Sequence, residues 1–489
     1  MHKSDFTYKL IRKITAVLLV TTLLTINMIL PAAATQTKDE LIEENQARDI
    51  ETNAIPGWPK GPAVGAKTAC LMDAQTGAIL YAKDMDSPQY PASTTKIMTC
   101  LLAAENCKMD EMVTFSTEAV YGIERDSSNV GMDVGQSITM EEALYCIMLA
   151  SANEVASAVA EHVGGSIEGF ADMMNERAAQ LGCTNTHFVN ANGLHNDEHY
   201  TSAHDLCLIA SAFFNNELLR KIASTKYIDI HATATQPDEF GLSNHHKMLP
   251  GRQYAYENIV GGKTGYTTVA HQTLITCAEK GGMTLVCAVM RDEAPYQYTD
   301  TRDLFEYGFN NFKRLNIKEN ENGYDIDTTG FFKTNIDIFG SSKNIFSISD
   351  TDYVTVPNEV TFDMLTSELI YDDSEDNNIL AQLKYSFNGV ETGCGHILLS
   401  TVDVQSFEFG AAPVEENITL SENQSGDGKK RVFVDVKKVF IISGIVLGLL
   451  LVIFVLQALL RNYSFALRRR RNIMKKNKRY KSEFDDFDF

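Results

Sequence analysis

The segment Tyr90-Pro-Ala-Ser-Thr-Thr-Lys-Ile-Met-Thr99 places a lysine, Lys96, three residues after a serine, Ser93. Residues i and i+3 of a helix share one face, so the Lys96 amine can reach the Ser93 hydroxyl. A serine hydroxyl is a weak nucleophile unless a base stands beside it. A lysine amine can be that base when burial or another cation lowers its pKa. For this motif alone, a helix start capped by Ser93 is the alternative interpretation.

Two further motifs contain residues suited to a catalytic cleft. Ser151-Ala152-Asn153 lies between two predicted helices, where a loop can direct both polar side chains into a cleft. Gly262-Lys263-Thr264-Gly265 precedes an apolar strand, and its glycines would let a ligand approach the strand backbone closely. Lys263 could hold a carboxylate and lower the pKa of a nearby amine. Taken singly, helix capping and an ordinary loop explain these two motifs equally well.

Strand signals at the two ends of this region enclose helical ones. Apolar segments Lys67–Ala74 and Ala78–Lys83 flank a turn and predict one β-hairpin, and Thr273–Ala278 with Met283–Met290 predicts a second. Between the hairpins, capping signals and apolar periodicity predict three helices, which start after Thr139, at Asn153 and near Phe170. A closing helix is predicted at Asp303–Phe312. The order predicts an antiparallel sheet built from both ends of the domain, with a helical insert between them.

Two apolar stretches beside basic residues point to a membrane. Basic residues precede an apolar run from Ile14 to Leu30 and small residues follow it, so residues 1–34 are predicted to be a cleaved signal peptide, with an uncleaved anchor as the alternative. Residues 439–460 carry no charge, and as a helix they would extend ~33 Å, enough to span a bilayer. The basic tail, 461–489, is predicted to stay in the cytoplasm, which leaves residues 35–438 outside the cell.

The chain of 489 residues has 43 basic and 64 acidic residues, a formal net charge of −21. Most of the excess acid lies between the two basic ends, which argues against a nucleic-acid partner. Length predicts more than one domain. Four regions are predicted between the signal peptide and the membrane span. They are a flexible lead-in (35–60), a domain that holds the three motifs (61–315), a β-rich domain (320–410) and a linker (411–438).

In this order, S-x-x-K, S-x-N and K-T-G resemble the signature set of the serine-type D-alanyl-D-alanine carboxypeptidases, the low-molecular-mass penicillin-binding proteins. Three longer blocks are similar as well: Tyr90–Thr99, Thr186–Asn190 with Asn192-Gly-Leu194, and Ile259–Thr267. The resemblance covers roughly residues 60–405. It implies an α/β (α+β) penicillin-binding/β-lactamase-like transpeptidase fold, whose antiparallel sheet carries a helical insert. A small β-rich domain and a single C-terminal transmembrane helix would follow.

The resemblance also implies a reaction, acyl transfer through a serine ester. Ser93 would attack the carbonyl between the two terminal D-alanines of a peptidoglycan stem peptide, and Lys96 would take the hydroxyl proton. Ser151 would relay a proton toward the leaving amine. β-Lactams would acylate the same serine, because they resemble the end of the substrate. The resemblance implies no metal and no cofactor.

Substrate binding is implied for the remaining motif residues, Asn153, Lys263, Thr264, Gly265 and Tyr266. Asn153 would hydrogen-bond the substrate backbone, and Lys263 with Thr264 would hold the terminal carboxylate. Backbone N–H groups of Ser93 and Tyr266 would form the oxyanion hole, with the second position carried over from the residue after K-T-G. Gly265 would let the substrate approach the strand.

Two histidines depart from the family pattern, and one family feature has no secure counterpart. His271 stands where the family usually has glycine, and His246 replaces a commoner asparagine. Members often carry a basic residue after this hairpin that helps hold the carboxylate, and the candidates are Arg291 and Arg302. None of these departures removes one of the core catalytic groups.

Two rival functions share the motifs. A class A β-lactamase usually has S-D-N and a downstream E-x-x-L-N glutamate, whereas this chain has Ala152 in the middle position and only Glu239-Phe-Gly-Leu-Ser243 as the nearest match. The second rival is a non-catalytic cell-wall-binding scaffold on the same fold. The complete set of catalytic motifs disfavours it, because function depends on the site rather than on the fold.

The remaining residues suited to metal binding give weak signals. His195, His199 and His204 lie close in sequence, but in a Gly/Asn/Asp-rich loop without a zinc signature. The nine cysteines include no C-x-x-C pair, and most sit in apolar contexts. They are therefore predicted to be small buried hydrophobic residues rather than metal ligands or a disulfide framework.

Overall fold

The computed structural model describes residues 37–321, 346–371 and 379–399. The helices in these ranges are α1 (Lys38–Gln46), α2 (Lys96–Asn106), α3 (Thr117–Tyr121), α4 (Met140–Leu149), α5 (Asn153–Gly164), α6 (Ile167–Gln180), α7 (Ala203–Asn215), α8 (Glu217–Ser224), α9 (Tyr296–Asn311) and α10 (Ile317–Asn320). The strands up to the second hairpin are β1 (Thr68–Asp73), β2 (Ile79–Lys83), β3 (Met112–Thr114), β4 (Ser137–Thr139), β5 (Tyr227–Ile230), β6 (Phe240–Ser243), β7 (Ile259–Thr267), β8 (His271–Lys280) and β9 (Met283–Asp292). Those after it are β10 (Phe312–Asn316), β11 (Phe346–Ile348), β12 (Tyr353–Pro357), β13 (Thr366–Tyr371), β14 (Ile379–Phe387) and β15 (Val390–Leu399).

The central sheet has five antiparallel strands in the order β2-β1-β9-β8-β7. Both predicted hairpins are confirmed, and β1 pairs with β9, which joins the first hairpin to the second. The sheet is therefore assembled from the two ends of the domain, as the order of signals predicted. Successive side chains of a strand point to opposite faces. Accordingly, Cys70 and Met72 pack into one core cluster, whereas Ala69 and Leu71 pack into another.

The helical insert covers one face of this sheet. A capping box at Thr139, in which the side chains of Thr139 and Glu142 each accept a hydrogen bond from the other residue's backbone, starts α4 as predicted. Gly165, with φ +74°, follows the end of α5. The buried apolar residues of α2, α4, α5, α6 and α7 form one cluster with the sheet. This packing fixes α2 and α5, the helices at whose starts two of the three motifs lie.

The last strands pack on the opposite face of the sheet. Strand β10 pairs with β12, and a separate sheet has the order β11-β15-β14-β13. Apolar residues of these strands share a core cluster with the central sheet and α9. A buried ion pair reinforces the junction: the Arg314 guanidinium donates to both carboxylate oxygens of Asp73, and the Nε–Oδ2 distance is 2.8 Å. The Thr355 hydroxyl also donates to Asp73, at 2.7 Å.

The lead-in (35–60) was predicted to be flexible, but from Thr37 onward it forms ordered structure. Thr37 and Glu40 form a capping box that starts α1, and Ile42 is buried. Trp58 is 4% exposed and lies between the rings of Phe312 and Phe387, with centroid distances of 5.3 and 6.5 Å. The apolar area buried around Trp58 anchors the segment, because an aromatic side chain buries a large surface.

Several predicted regions lie outside the described residues. These are the signal peptide (1–34), the linker (411–438), the span (439–460) and the tail (461–489). Within the described ranges, no helix has the length and hydropathy needed to cross a bilayer.

Candidate active site

The Ser93 and Lys96 side chains meet at the start of α2. Residues 92–95 form a 3₁₀ turn that continues into the helix at Lys96. Lys96 Nζ lies 3.1 Å from Ser93 Oγ, so the geometry expected of the i, i+3 spacing is present. Ala92 has φ +49°, a left-handed conformation unfavourable for alanine. The structure around the turn must hold this backbone in place.

The surroundings of Lys96 favour a neutral amine. Its side chain is fully buried, and burial together with the positive charge of Lys263 lowers its pKa well below the ordinary value. Nζ donates to Asn153 Oδ1 at 2.6 Å and to the backbone carbonyl of Asn192. A neutral amine has two N–H donors and one lone pair. With both donors used in this way, the lone pair is left for the Ser93 hydroxyl.

The other buried lysine of the site, Lys263, lies on β7. It is 1% exposed, and its ammonium donates to the backbone carbonyl of Thr264 at 2.8 Å. Burial lowers its pKa to about 7. A bound carboxylate would favour its charged form.

The S-x-N motif joins α4 to α5, as predicted. Ser151 has φ +60° and its hydroxyl is buried, without a hydrogen-bond partner among the residues that the structure describes. Asn153 begins α5, and its backbone N–H donates to the Ser128 carbonyl at 2.9 Å. A buried hydroxyl without a partner is rare in native proteins.

One cleft of about 520 Å³ is bordered by a residue of S-x-x-K, a residue of S-x-N and the residue that follows K-T-G. Its walls include Ser93, Asn153 and Tyr266, and the loop residues Glu124 to Ser128 contribute acidic and hydroxyl groups. Strand β7 comes very close to the serine turn: a Cβ on Gly265 would lie 3.0 Å from the Ser93 nitrogen and 2.3 Å from a hydroxyl on β8. A residue larger than glycine at position 265 would therefore clash with these neighbours.

A hydrogen-bonded chain that ends beside the nucleophile was missed by the sequence prediction. The Val189 N–H donates to His199 Nδ1 at 3.0 Å, so Nε2 carries the ring proton and donates to Thr95 Oγ1 at 2.8 Å. The Thr95 hydroxyl in turn donates to the Ala92 carbonyl at 2.9 Å. Burial lowers the pKa of His199 to about 3, in agreement with a neutral ring. This chain holds the strained residue that precedes Ser93.

The two histidine departures have different structural reasons. His271 has φ +58°, the left-handed region that favours glycine, and its Nδ1 lies 2.5 Å from a carboxylate oxygen of Glu293. His246 is fully buried next to Gly262, and its Nε2 lies 3.0 Å from Thr276 Oγ1. Burial and the charge of Lys263 lower the pKa of His246 to about 3. Both rings therefore have partners within the fold.

The two arginine candidates take other positions. Arg302 pairs with Asp303 on the surface of α9, at 3.1 Å. Arg291 lines a smaller pocket next to the cleft. Glu239, in the nearest match to a β-lactamase deacylation motif, is exposed and immediately precedes β6.

The three histidines considered as metal ligands have separate partners. His199 belongs to the chain beside Ser93, His204 lies 3.0 Å from Asp86, and His195 packs edge-on against the Tyr90 ring. In the described part of the chain, one group could hold a metal, because the ligand atoms of its three members lie within 4.8 Å of one another: Cys107, Glu111 and His162. All nine cysteines are described; none forms a disulfide and six are buried.

The sequence is similar to known D-alanyl-D-alanine carboxypeptidases. The family described as D-alanyl-D-alanine carboxypeptidase matches residues 56–294. D-alanyl-D-alanine carboxypeptidase DacF of Bacillus subtilis is 35% identical over 235 residues, which cover 47% of this chain and 58% of that protein. The D-alanyl-D-alanine carboxypeptidase of Streptomyces sp. K15 is 30% identical over 258 residues, 51% of this chain and 88% of that protein. The chain thus aligns with less than two thirds of the Bacillus protein but with most of the Streptomyces one.

Solved structures give similar matches. The Streptomyces K15 DD-transpeptidase has a TM-score of 0.48 and 29% identity, with 52% of this chain and 100% of that chain covered. A D-alanyl-D-alanine carboxypeptidase from Mycobacterium tuberculosis H37Rv has a TM-score of 0.48 and 27% identity, with 52% and 95% covered.

Proposed function

The chain belongs to the D-alanyl-D-alanine carboxypeptidase family of serine peptidases, and we propose that it removes the terminal D-alanine from peptidoglycan stem pentapeptides through an acyl-enzyme on Ser93. The observation that carries this proposal is the contact between Lys96 Nζ and Ser93 Oγ, at 3.1 Å, in a setting that favours the neutral amine. A serine with an adjacent, deprotonated base is what nucleophilic catalysis requires.

The first half of the reaction forms an ester. Ser93 Oγ attacks the carbonyl carbon of the penultimate D-alanine while its proton moves to Lys96 Nζ. The negative charge on the carbonyl oxygen is met by the backbone N–H groups of Ser93 and Tyr266, and such donors are typically worth about 10²–10³ in rate each. The C–N bond then breaks, and the departing amine receives, through Ser151, the proton that Lys96 took from Ser93, so the Lys96 amine is neutral again.

The second half releases the shortened peptide. A water molecule gives its proton to the neutral Lys96 amine and attacks the ester carbonyl, and Ser93 leaves with a proton returned by the lysine. Throughout, Lys263 and Thr264 hold the terminal carboxylate, and Asn153 aligns the substrate backbone. β-Lactams present a similar carboxylate and carbonyl, so they acylate Ser93 as inhibitors.

The location of the reaction is part of the proposal. A cleaved signal at residues 1–34 and a membrane span at 439–460 would place the catalytic domain outside the cell and the tail in the cytoplasm. Such an anchor would keep the site near newly made peptidoglycan, while residues 320–410 and the linker would act as a spacer. Glu239 is not among the residues that line the cleft, which argues against a β-lactamase of class A with Glu239 as its deacylation base.

Intact-mass spectrometry of the full-length chain after incubation with penicillin tests this proposal. We expect a single covalent penicilloyl adduct on the wild type and none on Ser93→Ala, together with release of D-alanine from a stem pentapeptide by the wild type alone. A wild type without the adduct, or an equal adduct on Ser93→Ala, contradicts the assignment. A non-catalytic scaffold would release no D-alanine from the peptide.

A further inference from the structure

A second pocket, of about 210 Å³, lies next to the catalytic cleft. Val269 lines both cavities, and Tyr90, three residues before Ser93, lines the second. The pocket is bounded by residues from separate parts of the chain: Lys67, Tyr90, Asp197, Tyr200, Val269 and Arg291. The resemblance makes Arg291 a candidate for holding the terminal carboxylate, but the proposed reaction assigns that carboxylate to Lys263 and Thr264, so this pocket has no assigned role.

Two cations face this pocket without a counter-ion. Lys67 immediately precedes β1, and its backbone N–H donates to the backbone carbonyl of Arg291 on β9 at 3.3 Å. The two residues are therefore neighbours. Across the described residues, neither side chain makes a hydrogen bond or an ion pair. Burial, then the positive charges of Arg291 and Arg48, lower the pKa of Lys67. The carboxylates of Asp84 and Glu44 offset this repulsion only in part.

The charge and the walls of the pocket fit an anionic group that is carried by a peptide. Two partly buried cations attract a carboxylate, and the guanidinium of an arginine can bind both of its oxygens. The rings of Tyr90 and Tyr200 supply apolar walls for the adjoining chain. Asp197 opposes an anion, but its side chain is 86% exposed, so solvent screens its charge.

The position of the pocket at the turn after β7 indicates which part of a substrate would reach it. The terminal carboxylate is assigned to Lys263 and Thr264, and the reacting carbonyl to the level of Tyr266. Val269 lies in the turn after β7, three residues beyond Tyr266, so the two positions are at most ~10 Å apart. A peptide would cover this distance with no more than about three residues on the side of the scissile bond away from the terminal D-alanine.

We propose that the pocket lined by Lys67 and Arg291 is a subsite for a carboxylate carried by the acyl-donor peptide, two or three residues before the scissile bond. The inference rests on the proposed carboxypeptidase function and extends it to substrate selection. The subsite discriminates donor peptides by charge, since an amide in place of the carboxylate gains nothing from the two cations.

Steady-state kinetics with the full-length chain tests the subsite. The two substrates are acyl-D-alanyl-D-alanine peptides that differ only in one side-chain carboxylate three residues before the scissile bond, which is free in one and amidated in the other. We expect the wild type to have a kcat/KM about tenfold higher for the free acid, because a charge-assisted pair is worth about that factor. Lys67→Gln and Arg291→Gln should each lower this ratio, and the double variant should bring it close to one.

Controls separate charge at the pocket from other effects. Lys280 lies at the opposite end of the β8–β9 hairpin from Arg291, so Lys280→Gln should keep the wild-type ratio. Arg291→Lys keeps the charge and should retain part of the preference. Chemical denaturation checks that each variant is folded.

Three outcomes decide the proposal. A wild type that turns over both peptides with equal kcat/KM overturns it, as does a double variant that keeps the full preference. Failure of the proposed carboxypeptidase function is a different result, namely no D-alanine from either peptide and no penicillin adduct. A preference that falls in the double variant and survives in Lys280→Gln supports the subsite.

Discussion

His199 offers the sharpest test of how the fold supports the nucleophile. Its ring accepts from the Val189 N–H and donates to Thr95 Oγ1, and the ring is 2% exposed. His199→Ala would leave the partly buried Val189 N–H without its acceptor and a cavity beside Phe188, whose ring centroid lies 5.5 Å away. A lost buried partner costs about 1–3 kcal/mol, and the cavity adds to this. We therefore expect His199→Ala to lower the free energy of unfolding by about 3 kcal/mol at pH 7.

The same variant has a pH dependence whose sign follows from the structure. The pKa of His199 is lowered in the fold, to about 3, from an ordinary value near 6.5. Between these values the unfolded chain binds a proton that the folded chain does not, so acidification removes the stability that His199 contributes. The slope is about 1.4 kcal/mol per pH unit, or about 2 kcal/mol between pH 6.5 and pH 5. The difference between wild type and variant should therefore shrink to about 1 kcal/mol at pH 5.

Urea unfolding at pH 7, 6 and 5 measures this difference, with the fluorescence of the single tryptophan, Trp58, as the probe. Comparing the variant with the wild type cancels the titration of every other group. His204→Ala is the matched control, because this ring is partly exposed and paired with Asp86, so its loss should cost no more than about 1 kcal/mol. A wild-type advantage that stays constant or grows toward pH 5 would show that His199 carries a proton in the fold.

Three further variants test other parts of the structure. Arg314→Ala should lower the free energy of unfolding by about 3 kcal/mol in chemical denaturation, because it leaves the fully buried Asp73 carboxylate without its cation; a loss below about 1 kcal/mol would contradict this. Gly265→Ala should slow penicillin acylation by about 100-fold, since the added Cβ would lie 2.3 Å from a β8 hydroxyl and displace the strand; an unchanged acylation rate would refute the close approach. Lys263→Gln should move the acid limb of the acylation pH profile to higher pH, because Lys96 loses the neighbouring cation that lowers its pKa; a limb that stays or moves down would contradict the coupling.

The sequence was sufficient to predict the catalytic contact because that contact is local. Ser93 and Lys96 are three residues apart, so any helical turn brings them together, and the hairpins around them carry their own turn signals. The start of α4 is also local, because the capping box at Thr139 involves only four consecutive residues. Such features depend on short-range geometry, which residue type and spacing determine.

The features that were missed depend on contacts between distant parts of the chain. Thr95 and His199 are 104 residues apart, and a histidine in a polar loop gives no sign that its ring will be buried and neutral. The anchoring of the lead-in by Trp58 needs Phe312 and Phe387, although the capping box at Thr37 was readable in the sequence. Long-range packing overrides local composition in these cases, because burial of aromatic surface outweighs the polar character of the segment.

The acidic exterior and the cationic site act over different distances. The excess of acidic residues lies on a surface in contact with solvent, where salt screens charges beyond about 8–10 Å. Lys96 and Lys263 are both buried, so the charge of Lys263 acts on Lys96 with little screening, and each lysine loses the hydration that would stabilise its charge. A protein with a net charge of −21 can therefore contain a lysine that favours the neutral form beside a second buried lysine. The net charge describes the surface, whereas the proposed reactivity of Ser93 would depend on two buried amines and the few groups that touch them.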